Sequence, residues 1–194
     1  MATGLALMGM AASSMGMFSA PAALPAQVGA PARAVPMTGP QRDPTSLAGV
    51  QNANVPADPN TAVATLIIPT LKVRAPIFER GLDPKGNMLI AHGYAVTQFQ
   101  YSALIGAGNT VLYGHDDIEG SVFGRLQDLK PGDQIVIVLA RSGESIVWRV
   151  TARTIVAPTA VEILNPTHDV RLTLFTCWPT WVDTKRVVIT AVQA

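Results

Sequence analysis

The chain has 194 residues, a formal net charge of +1, 48% hydrophobic residues and 14% charged ones. The near-zero charge argues against nucleic acid, which requires a clustered basic face, and the absence of a long Lys/Arg run argues against a polybasic patch for anionic membranes. Cys177 is the single cysteine, so an internal disulfide is excluded, and a protein-built metal cluster, which usually takes several thiolates or imidazoles, is disfavoured.

Residues 1–24 are rich in Ala, Met, Gly and Leu, and no charged side chain precedes Arg33. They predict a signal peptide or a membrane anchor, with Ala20-Pro21-Ala22 similar to an A-x-A cleavage site. Against this, no basic residue precedes the stretch, and Gly, Ser and Thr dilute it. Residues 25–62 are Pro- and Ala-rich and bury too little apolar surface to offset ordering entropy, so they predict a disordered linker. Residues 63–194 form the folded domain, long enough to bury a core.

Within that domain short apolar runs alternate with turn signals. Strands are expected at Thr65–Ile68, Val73–Phe78, Asn109–His115, Gln134–Leu139, Ser145–Thr151, Arg171–Cys177 and Arg186–Ala191. Arg141-Ser-Gly-Glu144 predicts a hairpin turn and Pro131-Gly132-Asp133 a tight turn. Two short helices are expected. One runs from Thr97 to Leu104; the other is capped by Ser121, with Phe123, Leu126 and Leu129 at helical spacing. Many short strands with few helices indicate an all-β barrel or sandwich.

The thiol stands at the end of Arg171-Leu-Thr-Leu-Phe-Thr-Cys177. Period-two alternation puts Leu172, Leu174 and Thr176 on one face and Thr173, Phe175 and Cys177 on the other. Pro179 ends the strand, so Cys177 is held rigidly beside a loop. That suits a nucleophile, although free cysteines are commonly small buried hydrophobes. A nucleophilic thiolate needs an imidazole or cation beside it. His92, His115 and His168 are the imidazoles available, and spacing does not choose among them. Arg186 opens the last strand and shares one loop with Cys177, so both side chains fall at the same end of the barrel. A guanidinium there suits an oxyanion or a peptide carbonyl.

Leu174-Phe-Thr-Cys177 matches the Leu-x-Thr-Cys signature of sortases, the cysteine transpeptidases of the bacterial cell envelope. Gly108-Asn-Thr-Val-Leu-Tyr-Gly-His115, the Phe123–Asp133 segment and Arg186 with the Val187-Val188-Ile189 run resemble the family's other landmarks, in the family's order. The resemblance covers roughly Thr65 to Val192. It implies a closed eight-stranded barrel and selects His115, Cys177 and Arg186 as the catalytic residues, with Thr176 and Trp178 as substrate-binding or supporting residues and no cofactor.

It further implies the substrates. These are exported proteins with a C-terminal sorting signal similar to Leu-Pro-x-Thr-Gly, and an amine acceptor such as a cell-wall precursor or a pilin-like lysine. The expected location is the outer face of the membrane, held or exported through residues 1–24. Asp116 and Asp117 follow the histidine where many members carry other residues. Two adjacent acids supply too few oxygens for calcium, and they are read as a solvated loop. Trp178 and Trp181 either wall the groove or cover the barrel end. A non-catalytic exported barrel that binds peptide or wall polymer, with an inert cysteine, is the competing expectation.

Overall fold

A computed structural model describes residues 59–194. The sequence expectations for residues 1–24 and for most of 25–62 lie outside the described residues. No helix among the described residues is long and apolar enough to cross a membrane.

The described chain forms strands β1 (Ala64–Ile68), β2 (Val73–Arg80), β3 (Val96–Phe99), β4 (Asn109–Tyr113), β5 (Gln134–Leu139), β6 (Ser145–Val156), β7 (Arg171–Trp178) and β8 (Lys185–Gln193). They close into one barrel in the order β1-β2-β3-β4-β7-β8-β6-β5, with β5 returning to pair antiparallel with β1. Two pairs are parallel, β2 with β3 and β4 with β7. A parallel pair needs a crossover rather than a hairpin. For β4 and β7 that crossover holds the β5–β6 hairpin, and it leaves the C-terminal ends of β4 and β7 side by side.

The barrel closes because its strands alternate. Leu66 and Ile68, Ala75 and Ile77, Ile135 and Ile137, Trp148 and Val150, Leu172 and Leu174, and Val187 and Ile189 all turn inward into one core. Fully burying each large apolar side chain is worth about 1.5–3 kcal/mol. A second cluster of Phe99, Val111 and Tyr113 packs on the outer face of β3 and β4 beneath Met88, Ile90, Leu164 and Phe175.

Both helix expectations are corrected. Val96–Phe99 is strand β3, and all of its residues are buried. Covered on both sides, it shows no alternation, and its spacing mimics a helix start. Its backbone is committed to Arg80 and its neighbours in β2 and to Tyr113 and Leu112 in β4. Ser121 caps nothing. It has φ +52°, and the helical structure nearby is one 3-10 turn, Leu126–Asp128, entered from Arg125 without a side-chain cap. Phe123, Leu126 and Leu129 are nonetheless all in the core, so their spacing reports burial rather than a helix. The other helical pieces among the described residues are the 3-10 turns Pro69–Leu71 and Val161–Leu164.

Candidate active site at the shared end of β4, β7 and β8

Cys177 lies one residue from the end of β7, directly opposite Arg186 of β8 in the antiparallel register. It is half-buried. The connecting loop is tied down by the amides of Val182 and Asp183, which donate to the Pro179 carbonyl at 2.9 and 3.0 Å. Arg186 adds a second tie. Its Nη1 donates to the carbonyls of Asp183 at 3.0 Å and Lys185 at 2.8 Å. Its charge still reaches the sulfur and pulls the thiol pKa down, against a larger upward push from burial.

The histidine arrives from β4. That strand runs parallel to β7 with Tyr113 beside Phe175, and their rings stack at 5.4 Å and 17°. One residue on, the Thr176 hydroxyl donates to the Gly114 carbonyl at 2.7 Å. His115 follows Gly114 just past the end of β4, and Cys177 follows Thr176 in β7, so each is the next residue after this tie. Gly114 is required here: a Cβ would meet Val122 Cγ1 at 2.6 Å and Phe123 Cδ2 at 3.3 Å. Under the stack, Tyr113 donates its hydroxyl to the Leu89 carbonyl, and burial pushes its phenol pKa up.

The other imidazoles are elsewhere. His92 is exposed and pairs with Glu119 at 3.0 Å. His168 is exposed in the loop entering β7, at the opposite end of that strand from Cys177.

The expected solvated loop at Asp116 is corrected. Asp116 is 5% exposed, and its Oδ2 is buried without a hydrogen-bond partner. The chain folds over it because Gly124 packs against its backbone, where a Cβ would stand 2.9 Å from the Asp116 carbonyl. Burial pushes the Asp116 carboxyl up, Asp117 and Asp183 add to that, and a hydrogen bond from Thr180 opposes it. A carboxylate oxygen of Asp116, one of Asp183 and Cys177 Sγ all lie within 4.8 Å of one another. The thiol therefore sits between a guanidinium and a group of acids. Burial pushes it up most, and Asp183, Asp116 and Asp117 push it further. Asp183 and Thr180 were not legible as site neighbours; the only signal was their place in the loop between Cys177 and Arg186.

Thr176 is buried, with its hydroxyl committed to β4. Trp178 packs against the barrel core, whereas Trp181 is 72% exposed in the loop. A cavity of about 250 Å³ lined by Val63, Glu79, Leu104, Ile105 and Leu139 lies at the other end of the barrel, away from Cys177.

Among the described residues, a closed eight-stranded barrel brings a thiol and a guanidinium face to face at the end where β4 also terminates. The sequence model of the Sortase domain matches residues 66–194. This chain belongs to the sortase family. It is 28% identical to Sortase A of Listeria monocytogenes over 132 residues, 68% of this chain. The match covers 56% of that protein, so the chain spans little more than half the length of this relative. A solved structure of a lid mutant of Sortase A from Corynebacterium diphtheriae superposes with a TM-score of 0.64 at 27% identity, covering 79% of this chain and 81% of that one. Sortase C1 from Streptococcus agalactiae shares the fold, with a TM-score of 0.62 at 22% identity over 74% of this chain and 72% of its own.

Proposed function

We propose that this protein is a cysteine transpeptidase that cuts a sorting signal similar to Leu-Pro-x-Thr-Gly in exported proteins and passes the acyl group to an amine. The observation that carries the reading is the pairing of Cys177 with Arg186 across β7 and β8, with β4 fastened alongside through Thr176 and Gly114.

In this reaction Cys177 Sγ loses its proton to His115 and attacks the scissile carbonyl carbon. The C–N bond breaks with the proton of His115 going to the departing amine, which leaves a thioester on Cys177. Arg186 donates hydrogen bonds to the oxyanion as it forms. An incoming amine, its proton taken by His115, then attacks the thioester and frees the thiol. Water in place of the amine gives hydrolysis. Burial pushes the resting thiol pKa up, Arg186 opposes this, and the neighbouring acids add to the rise, which favours loss of the proton as the substrate is attacked. The acceptor is a cell-wall precursor or pilin-like lysine amine. The enzyme works at the outer face of the membrane, with residues 1–24 directing or holding it there.

The same raised thiol supports a second reading, a non-catalytic barrel that binds peptide or wall polymer. One experiment separates them. The protein is incubated with a small library of sorting-signal peptides, with and without an added amine, and followed by mass spectrometry. A covalent adduct on Cys177, resolved faster by the amine, supports the transpeptidase. Turnover that persists in Cys177→Ala overturns this mechanism, and peptide bound with no adduct favours the binding module.

A further inference from the structure

We propose that Asp116, Cys177 and Asp183 form a binding site for a borderline-soft divalent cation of the zinc class, which holds the sulfur in an unreactive, metal-bound form. The donor atoms come from three separately anchored pieces of chain and lie within 4.8 Å of one another. Donors around a tetrahedral zinc ion, bound at about 2.0–2.3 Å, stand roughly 3.3–3.8 Å apart, so a small inward movement completes the arrangement. Asp116 supplies a second observation. It is 5% exposed, and Thr180 meets its carboxyl, yet its Oδ2 is buried with no partner. An orphaned carboxylate oxygen is costly to bury unless something positive meets it.

The donor set selects the ion. One sulfur and two carboxylates suit zinc, whereas calcium and magnesium take oxygen shells. On binding, the thiol gives its proton to solvent and a sulfur–metal bond forms; no electron moves. The dication then offsets the crowding of carboxylates around the sulfur. Asp116 follows β4, Cys177 is in β7, and Asp183 sits in a loop that Arg186 ties to β8. Asp183 is exposed, which gives the ion its way in. The site uses the same sulfur as the proposed transpeptidation but none of its chemistry, so the two readings fail separately.

The test uses the full chain after chelation, titrated with Co²⁺ and then Zn²⁺. The expected result is a near-ultraviolet thiolate-to-cobalt absorption at one equivalent, abolished by Cys177→Ser and displaced by Zn²⁺. Zinc should also block alkylation of Cys177, reversibly with EDTA. Asp183→Asn and Asp116→Asn should each weaken binding about tenfold or more. The proposal is overturned if no such absorption forms, or if Asp183→Asn binds as tightly as the parent. Because Asp183 is on an exposed loop, that variant remains decisive even if Asp116→Asn fails to fold.

Discussion

The Thr176 hydroxyl and the Gly114 carbonyl are joined at 2.7 Å, and each immediately precedes a proposed catalytic residue. The bond crosses the parallel β4–β7 seam where that seam opens into the site. Thr176→Val keeps the shape but strands a buried carbonyl. That should cost about 1–2 kcal/mol, a fall in Tm of several degrees by differential scanning fluorimetry. Turnover should fall further than stability, because His115 and Cys177 lose their shared spacer.

Gly114→Ala tests the same seam by crowding. Its Cβ would meet Val122 Cγ1 at 2.6 Å, and such overpacking costs about 1–3 kcal/mol. The expected outcome is a folded but destabilised barrel with a sharply reduced kcat. A truncation of Val122 to Ala in the same chain should recover part of the loss.

Arg186 is expected to act through its fork as well as its charge. Arg186→Lys keeps the charge and loses the planar donor pair. Removal of an oriented oxyanion donor costs about 10²–10³ in kcat. Thioester formation measured in a single turnover should drop by about that factor, and an unchanged rate would rule out the oriented role.

The thiol should titrate late. Burial and the neighbouring acids push Cys177 up, so the midpoint for alkylation by iodoacetamide in the presence of a chelator should lie above the free-thiol value of about 8.5. Asp183→Asn removes one of the acids that raise it, and the profile should move to lower pH. A midpoint below that of free thiol would contradict the electrostatics described here.

Glu79 gives a test at the far end of the barrel. It is half-buried, and burial raises its pKa. A raised carboxyl favours the fold while protonated, and that contribution is lost as pH rises through the folded-state value. At pH 7 the parent therefore carries a penalty that Glu79→Gln lacks. The variant should melt about 1–2 °C higher there, the gap being small because the group is partly solvated. The difference should close below about pH 4.

Much of this could be read from the chain alone where one chemical pattern decides the outcome. Leu172 and Leu174 alternate with Thr173 and Phe175, and β7 follows. The Cys177–Arg186 pairing follows from one loop between two strands. Burial on both faces hides β3, because Val96, Thr97, Gln98 and Phe99 are all covered and carry no period. β6 continues past the expected end at Thr151 to Val156, with a register shift between Val150 and Ala152, and its largely exposed second half carries no inward-facing period. The buried state of Asp116 was illegible because it depends on a distant loop and on Gly124. A carboxylate next to another carboxylate looks solvated until the chain is folded over it.

Closure of the sheet has a consequence for how a substrate can be held. β1 is paired on one side with β2 and on the other with β5, and an unpaired margin is left only where a neighbour is short, as beside Val73–Pro76 of β2. An extended peptide finds no full-length sheet edge to join as one more strand. Discrimination among targets then falls chiefly to side chains and loops at the barrel mouth, the parts of such a molecule freest to diverge while the staves stay put.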